Sequence, residues 1–290
     1  MERTRLKAIL SIATALTFVA GVAGCAANAR TKLAASKNAS PLGDSRQLVL
    51  VLAEDWDATV AVLWCYARPG PGQAWRAVGK QVPVNIGRTG LAWGRGLHGN
   101  PASPNASAAA APSADHFDLP PGPTKREGDG KAPAGVFELP FAFGYAGSEQ
   151  AGAIKLPYLA LTANVAGVDD VKSKHYNRLV RTDQVAKDWA SAEQMRRDDG
   201  LYEWGVFVNH NTSPTLPGAG SCIFLHVWRG QGKPTAGCTA MSRQEMIRLL
   251  QWLNPKARPV LVQLPRAAYD RLATRWALPA PRFSGTQLQQ

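Results

Sequence analysis

Residues 221–241, SCIFLHVWRGQGKPTAGCTAM, form the stretch on which both the fold and the chemistry of this chain depend. The stretch opens with an apolar run, residues 222–228, that is typical of a buried β-strand. A loop rich in glycine follows and ends at Cys238. The sequence therefore predicts that a strand holds His226 in place and that the loop after it brings a cysteine back towards this histidine.

A cysteine beside a histidine has the parts of a nucleophilic site. The thiolate is the reactive form of a thiol, and a neighbouring imidazole can accept the proton of Cys238. Gly237 allows a substrate to approach the backbone closely, so the N–H groups of Gly237 and Cys238 are candidate donors to an oxyanion. The alternative is a buried thiol and a hydrogen-bonded core histidine. Spacing alone leaves both interpretations open.

Two motifs resemble one known family. His226, followed by a loop and then Thr235-Ala236-Gly237-Cys238, resembles the active-site signature of the YkuD-type L,D-transpeptidases. Residues 125–135, KREGDGKAPAG, resemble the K-x-E-G-D-G-x-T-P-x-G segment of the same family. The resemblance covers about residues 48–265. It implies a mostly-β chain, an L,D-transpeptidase-like β-sandwich with a few peripheral helices, in which Cys238 is the nucleophile and His226 its base.

The chain departs from the family pattern at two positions. Ala236 stands where the family usually has a second histidine, and Ala240 stands where it often has arginine or asparagine. His210, at the end of a predicted strand, is a candidate auxiliary residue in place of the missing histidine. The alternative for His210 is a loop or structural role.

The resemblance implies acyl transfer on peptidoglycan stem peptides, through a thioester, with no cofactor. The thioester would pass to an amine, forming a crosslink, or to water, after release of a terminal D-alanine.

One alternative is a catalytically impaired peptidoglycan-binding lipoprotein, and another is a wall-peptide hydrolase that uses the same Cys238 and His226. Papain-like hydrolases place the cysteine before the histidine, the reverse of the order here. A zinc shell is a further alternative, although paired ligand motifs are missing. Its ligands would be His210, Cys222, His226 and Cys238.

The chain is basic. It has 290 residues with 33 lysines and arginines against 21 aspartates and glutamates, a formal net charge of +12. A basic surface fits an anionic partner. Nucleic acid is not the expected partner, because the sequence has no zinc-finger spacing, ribonucleoprotein motif or basic helix. A wall polymer rich in carboxylates fits the charge.

The N-terminal residues predict that the protein is located in the bacterial cell envelope. Residues 1–24 have the basic start and short apolar run of a signal peptide. They end in a sequence that resembles a lipobox, which makes Cys25 the expected lipidation site and membrane anchor. Residues 25–46 are then the anchor and a flexible tether. The expected location is the periplasmic side, with the outer membrane favoured because no aspartate directly follows Cys25.

The change of pattern after residue 46 marks the start of a folded domain, and the resemblance implies that residues 47–266 are one catalytic domain. Within it, residues 100–121 are dense in alanine, proline and serine and predict a flexible insertion. Residues 267–290 predict a short helix and a loose C-terminal tail. Strands are predicted at residues 48–52, 58–66, 75–84, 136–143, 154–163, 202–209 and 259–264.

Helix signals and cysteine pairing complete the prediction. Apolar residues recur at helical spacing in residues 182–199, and Ser242 with Glu245 has the form of a capping box before a second helix. Cys65 and Cys222 either form a disulfide in an oxidising compartment or remain buried thiols.

Overall fold

A computed structural model of the chain describes residues 40–99 and 119–281. The predicted fold class is confirmed: the chain is mostly β, with 33% strand, 11% helix and a large sheet consistent with a β-sandwich. The signal peptide, Cys25 and most of the tether lie outside the described residues, as do nearly all of the predicted insertion and residues 282–290. The expectations for these segments therefore stay predictions. The part of the chain that is described has no helix long and apolar enough to cross a bilayer.

Fourteen strands, two α-helices and one short 3-10 helix make up the described regions. The strands are β1 (Gln47–Ala53), β2 (Val60–Ala67), β3 (Arg76–Asn85), β4 (Leu91–Trp93), β5 (Ala132–Glu138), β6 (Ala142–Gly144), β7 (Tyr158–Ala160), β8 (Val165–Val168), β9 (Arg178–Arg181), β10 (Ala192–Gln194), β11 (Trp204–Phe207), β12 (Phe224–Val227), β13 (Thr239–Met241) and β14 (Val260–Pro265). The helices are α1 (Arg243–Trp252), α2 (Arg266–Trp276) and the 3-10 turn Pro255–Ala257.

These strands form two sheets. The large sheet has eleven strands in the order β4-β5-β14-β1-β2-β3-β13-β12-β11-β6-β7. The small sheet has the order β10-β8-β9. Strands β1, β2 and β3 therefore form the middle of the large sheet, and residues 221–241 supply two of its adjacent strands, β12 and β13.

Strand β1 forms the centre of the core. All seven of its residues, QLVLVLA, are buried, and it pairs parallel with β14 and antiparallel with β2. A strand covered on both faces needs no alternation of polar and apolar residues, which explains the unbroken apolar run. Each fully buried leucine in it contributes about 1.5–3 kcal/mol through the hydrophobic effect.

Helix α2 packs on the same core. Its buried residues belong to the cluster that contains β1 and β14, and Trp276 at its end is completely buried. The helix expected near the C-terminus is thus present. The segment up to residue 281, which the sequence analysis treats as a tail, includes a helix that is integral to the domain.

Helix α1 begins where the capping box predicts. The Ser242 side chain accepts a hydrogen bond from the Glu245 backbone N–H at 3.3 Å. The face formed by Met246, Leu249 and Leu250 is buried, so the predicted amphipathic helix is confirmed.

The helix predicted for residues 182–199 is wrong. This segment is a turn followed by β10, which pairs antiparallel with β8. Asp188 accepts hydrogen bonds from Ser173 and from the Lys174 N–H, and Asp170 accepts one from the Ala190 N–H. Such side-chain bonds offer the backbone an alternative to a helix. The apolar residues that suggested the helix are buried in different clusters, Trp189 in one and Met195 in another.

Two predicted strands are shorter than expected. The strand predicted at residues 136–143 is divided into β5 and β6 around Pro140, because proline has no N–H to donate to a sheet. The strand predicted at 154–163 is reduced to Tyr158–Ala160. The chain therefore crosses from β5, near one end of the large sheet, to β6 and β7 at the other end.

Two buried histidines link backbone segments through their ring nitrogens, His98 between the loop after β4 and β5, and His210 between the loop after β4 and the loop before β12. His98 Nδ1 accepts from the Val136 N–H at 3.0 Å, and its Nε2 lies 3.1 Å from the Gly94 carbonyl. His210 Nδ1 accepts from the Arg95 N–H at 3.2 Å, and its Nε2 lies 3.1 Å from the Ala219 carbonyl. Both rings must therefore be neutral and carry their proton on Nε2. Burial lowers the pKa of His98 to about 4 and that of His210 to about 3.

We predict that acid destabilises the domain and that these two histidines contribute to the loss. Their folded pKa values lie below the ordinary value, so the unfolded chain binds more protons and stability is lost as the pH falls below about 6.5. Between pH 7.5 and pH 5 each histidine should remove about 2 kcal/mol from the free energy of unfolding, measured by urea denaturation. His98→Asn and His210→Asn keep the Nδ1-side acceptor and should each reduce this pH dependence. Equal stability of the wild type at both pH values would refute the prediction.

Candidate active site

The parallel pairing of β12 with β13 brings Cys238 and His226 together. Leu225 is in register with Thr239, and His226 with Ala240, so Cys238 lies level with Phe224 at the start of β12. Side chains alternate along a strand, and paired residues share a face. His226 and Cys238 therefore lie on the same face of adjacent strands, two positions apart.

Both side chains line one open cleft of about 660 Å³. Ala236, Gly237 and Ala240 line it as well, so both alanines that replace larger family residues face the space beside the thiol. The predicted site residues from the Cys238 motif are thus collected in a single cleft.

His226 is oriented by its own chain. Its Nδ1 lies 2.7 Å from the Val227 carbonyl, which can only accept, so the neutral ring carries its proton on Nδ1 and leaves Nε2 as the basic atom. The edge of the Tyr202 ring packs against the imidazole, with centroids 5.2 Å apart. Burial lowers the pKa of His226 to about 4.

Cys238 is a buried thiol, 8% exposed. Its Sγ accepts a hydrogen bond from the Phe224 N–H at 3.3 Å and lies 3.6 Å from the Cys222 carbonyl. Burial, followed by the negative charge of Glu193, raises the pKa of Cys238 to about 12. The resting site therefore contains a neutral thiol and a neutral imidazole, because both charged forms are poorly solvated there.

The loop before Cys238 is held in place by backbone contacts. The Thr235 N–H donates to the Ile86 carbonyl at 2.9 Å, and the Arg88 N–H donates to the Thr235 carbonyl at 2.8 Å. Gly237 has φ of +151°, a conformation that favours glycine, and its N–H donates to Thr235 Oγ1 at 3.1 Å.

The second motif forms another wall of the cleft. Asp129 closes its loop: one carboxylate oxygen contacts Lys125 Nζ at 2.5 Å, and the Arg126 and Lys131 N–H groups also donate to this carboxylate. Lys125, Glu127 and Gly128 line the cleft. The segment then continues directly into β5.

The small sheet contributes residues that the motifs do not reveal. Asp169, Glu193, Arg197 and Tyr202 line the cleft. Glu193 Oε1 accepts from the Tyr202 hydroxyl at 2.7 Å and from Arg197 at 3.2 Å. Sequence analysis assigned Glu193 and Arg197 to a packing helix, Asp169 to a polar loop and Tyr202 to a strand, and gave none of them a role in the site. Charged residues in short strands and turns carried no spacing that would have identified them.

The remaining candidates lie in different places. His210 is outside the residues that line the cleft and is 1% exposed, with both ring nitrogens engaged by backbone groups.

Cys222 lines the cleft but Cys65 lies on β2, and both are free thiols. The proposed disulfide is thus absent between these two described residues. No group of three potential metal ligands is assembled anywhere in residues 40–99 and 119–281.

A comparison with models of protein families identifies the family of this chain. The model of the YkuD family, the L,D-transpeptidase catalytic domain, matches residues 75–262. The chain belongs to this family, which supports L,D-transpeptidase-type activity in general and implies a peptidoglycan-related substrate. Searches of curated proteins and of solved structures returned no match.

We predict slow and pH-dependent alkylation of Cys238. Because its pKa is raised to about 12, the thiolate fraction and the labelling rate should rise about tenfold per pH unit between pH 7 and pH 10. Iodoacetamide labelling, quantified by mass spectrometry of the Cys238 peptide, measures the rate. A short peptide with one free cysteine is the control and should level off above its ordinary pKa of about 8.5. Rapid labelling that is flat between pH 6 and pH 8 would instead reveal a thiolate–imidazolium pair.

We predict that Gly237→Ala is more harmful than Gly230→Ala. Both glycines have φ near +150°, at +151° and +148°. A Cβ at Gly237 would lie 3.0 Å from the Lys131 carbonyl oxygen, whereas one at Gly230 meets only the Lys233 side chain at 3.9 Å. Backbone strain alone costs about 1–3 kcal/mol, and only Gly237→Ala adds the backbone contact. Urea denaturation compares the two variants. Equal losses would show that the Lys131 contact is unimportant.

Proposed function

We propose that this protein catalyses cysteine-dependent acyl transfer on peptidoglycan stem peptides. The observation that supports this most directly is that Cys238 and His226 line one cleft from the same face of adjacent strands. Membership of the L,D-transpeptidase family supplies the reaction class. The finer assignments below, of roles and substrate, belong to the proposal.

The first half-reaction forms a thioester. Cys238 Sγ attacks the carbonyl carbon of the third stem residue while its proton passes to His226 Nε2. Because the resting thiol and imidazole are both neutral, proton transfer accompanies bond formation and does not precede it. The tetrahedral intermediate then collapses, the C–N bond breaks, and His226 returns the proton to the amine of the departing D-alanine.

The oxyanion needs a donor during this step. The Gly237 N–H already donates to Thr235 Oγ1, so we assign the main backbone contact to the Cys238 N–H. The Phe224 N–H at Cys238 Sγ stabilises negative charge on sulfur when the thioester breaks down. An amine of a second stem, or water, then attacks the thioester and His226 accepts its proton. The C–S bond breaks, and His226 returns that proton to the Cys238 sulfur.

The proposed substrate also agrees with the expected location of the protein. Peptidoglycan lies outside the cytoplasmic membrane, and the lipobox-like sequence before Cys25 would anchor the domain on that side through acyl chains. We therefore propose a lipid-anchored enzyme on the periplasmic side. The Arg and Lys side chains exposed at the mouth of the cleft, including Arg88, Arg229 and Lys233, suit a polymer rich in carboxylates.

The test is release of D-alanine from a stem tetrapeptide. Cys238→Ala should reduce release to background, and His226→Gln should reduce it by roughly 10²–10⁴-fold through loss of the general base. Cys65→Ala, a thiol on β2 away from the cleft, is the matched control and should retain activity.

Covalent labelling identifies the nucleophile independently of turnover. After incubation with meropenem, peptide mapping should place the adduct on Cys238 and not on Cys222. An adduct retained in Cys238→Ala would overturn the assignment. Binding of stem peptides without any D-alanine release or adduct would favour the alternative of an impaired peptidoglycan-binding protein.

A further inference from the structure

Strand β14 carries a single polar side chain in an otherwise apolar run. All six of its residues, VLVQLP, are buried, and Gln263 is 1% exposed. A buried amide needs hydrogen-bond partners, because an unpaired donor or acceptor in the core is costly. Gln263 finds its partners in both sequence motifs of the site, at Thr239 in residues 221–241 and at Pro133 in residues 125–135.

The direction of these two hydrogen bonds is fixed. The Pro133 carbonyl can only accept, so Gln263 Nε2 donates to it, at 2.9 Å. The Oε1 atom of the same amide then faces Thr239, whose hydroxyl donates to it at 2.6 Å. Thr239 is also 1% exposed, so the bond is shielded from water. We call the Thr239 hydroxyl, the Gln263 amide and the Pro133 carbonyl the buried clamp.

The buried clamp lies directly behind the nucleophile. Cys238 and Ala240 line the cleft and Thr239 does not, as expected for side chains that alternate along a strand. Strands β13 and β14 are separated by three strands in the order of the large sheet. The bond from Thr239 to Gln263 therefore crosses the core and ties the residue after Cys238 to a fully buried strand.

The pairing of β13 with its neighbours is short. The strand has three residues, and its register with β3 is a single residue pair. Its other two side chains, Ala240 and Met241, are apolar, and apolar packing is non-directional. A hydrogen bond is directional, and a shift of one residue would place a thiol or a methyl group, not the Thr239 hydroxyl, opposite Gln263. The buried clamp therefore favours one register of β13.

We propose that Thr239 and Gln263 are positioning residues that hold the Cys238 sulfur in its place on the cleft wall. The inference rests on the proposed function, because that place matters for attack by the sulfur on an acyl group. Neither side chain lines the cleft, so both act through the backbone of Cys238. The Phe224 N–H reaches Sγ only while Cys238 stays level with the start of β12.

Variants at Thr239 separate the hydroxyl from the shape of the side chain. Thr239→Val keeps the shape and removes the donor, whereas Thr239→Ser keeps the donor and removes a methyl group. Thr239→Val combined with Gln263→Met removes both partners, which avoids leaving the Gln263 oxygen buried and unpaired. Urea denaturation of the full-length proteins identifies the variants that are folded, and these are compared.

Two measurements on each variant should move in opposite directions. In D-alanine release from a stem tetrapeptide, Thr239→Val and the double variant should lower kcat by roughly 10- to 100-fold, because small misplacements of a reacting group are costly. KM should change by less than about twofold. Iodoacetamide labelling of Cys238 at pH 9 should become roughly 3- to 10-fold faster, because local opening around the sulfur loses one opposing hydrogen bond.

Three controls distinguish positioning from general loosening. Thr239→Ser should retain a kcat close to that of the wild type. Cys65, a free thiol on β2 that is labelled in the same samples, should keep its wild-type rate. Ser173→Ala removes another buried hydroxyl, which donates to Asp188 at 2.6 Å outside the cleft, and should change neither kcat nor the labelling of Cys238.

Several results would overturn the positioning role. They are an unchanged kcat in Thr239→Val, an equal loss in Thr239→Ser, a raised KM with unchanged kcat, and a parallel rise in the labelling of Cys65 and Cys238. If the wild type releases no D-alanine, the proposed reaction fails and labelling alone decides. Faster labelling of Cys238 at a constant Cys65 rate would then support the buried clamp, and an unchanged rate would refute it.

Discussion

The parallel pairing between β12 and β13 is the constraint on which the site depends. Parallel neighbours require a connection that returns to the start of the first strand, and residues 228–238 supply it here. This return places Cys238 level with Phe224, whose N–H donates to the sulfur. A shift of one residue would move Cys238 to the opposite face from His226, since side chains alternate along a strand. Contacts of Thr235 with Ile86 and Arg88 help to fix the loop in this register.

Burial determines the charge state of the site. Desolvation raises the pKa of Cys238 and lowers that of His226, so the two groups move away from the range in which an ion pair would form. A neutral pair suits a thiol that must remain unreactive until a carbonyl is in place. In the proposed reaction it also makes the backbone donors important, because negative charge develops on the carbonyl oxygen, and later on sulfur when the thioester breaks down, within a poorly solvated cleft.

The two sheets contribute different residues to the cleft. The large sheet presents Cys238 and His226 on adjacent strands, and the loop of the second motif borders them with Lys125 and Glu127. The small sheet contributes charged side chains from its strand ends and turns, including Asp169 and Glu193. Cys238 and His226 thus lie at the strands of the larger sheet, whereas Asp169 and Glu193 come from the shorter strands and the turns next to them.

The sequence by itself determined the mostly-β class, the strand and loop of the Cys238 motif, and helix α1 with its Ser242 cap. These depend on local patterns, namely apolar runs, glycine-rich turns and a capping residue, that each segment carries within itself. Only the tertiary structure decided that residues 182–199 are not a helix, that His210 is buried away from the cleft, and that Asp169 and Glu193 line the same cleft as Cys238. The physical reason is that strand pairing and the burial of polar groups are settled between segments far apart in the chain, and such contacts override local preference.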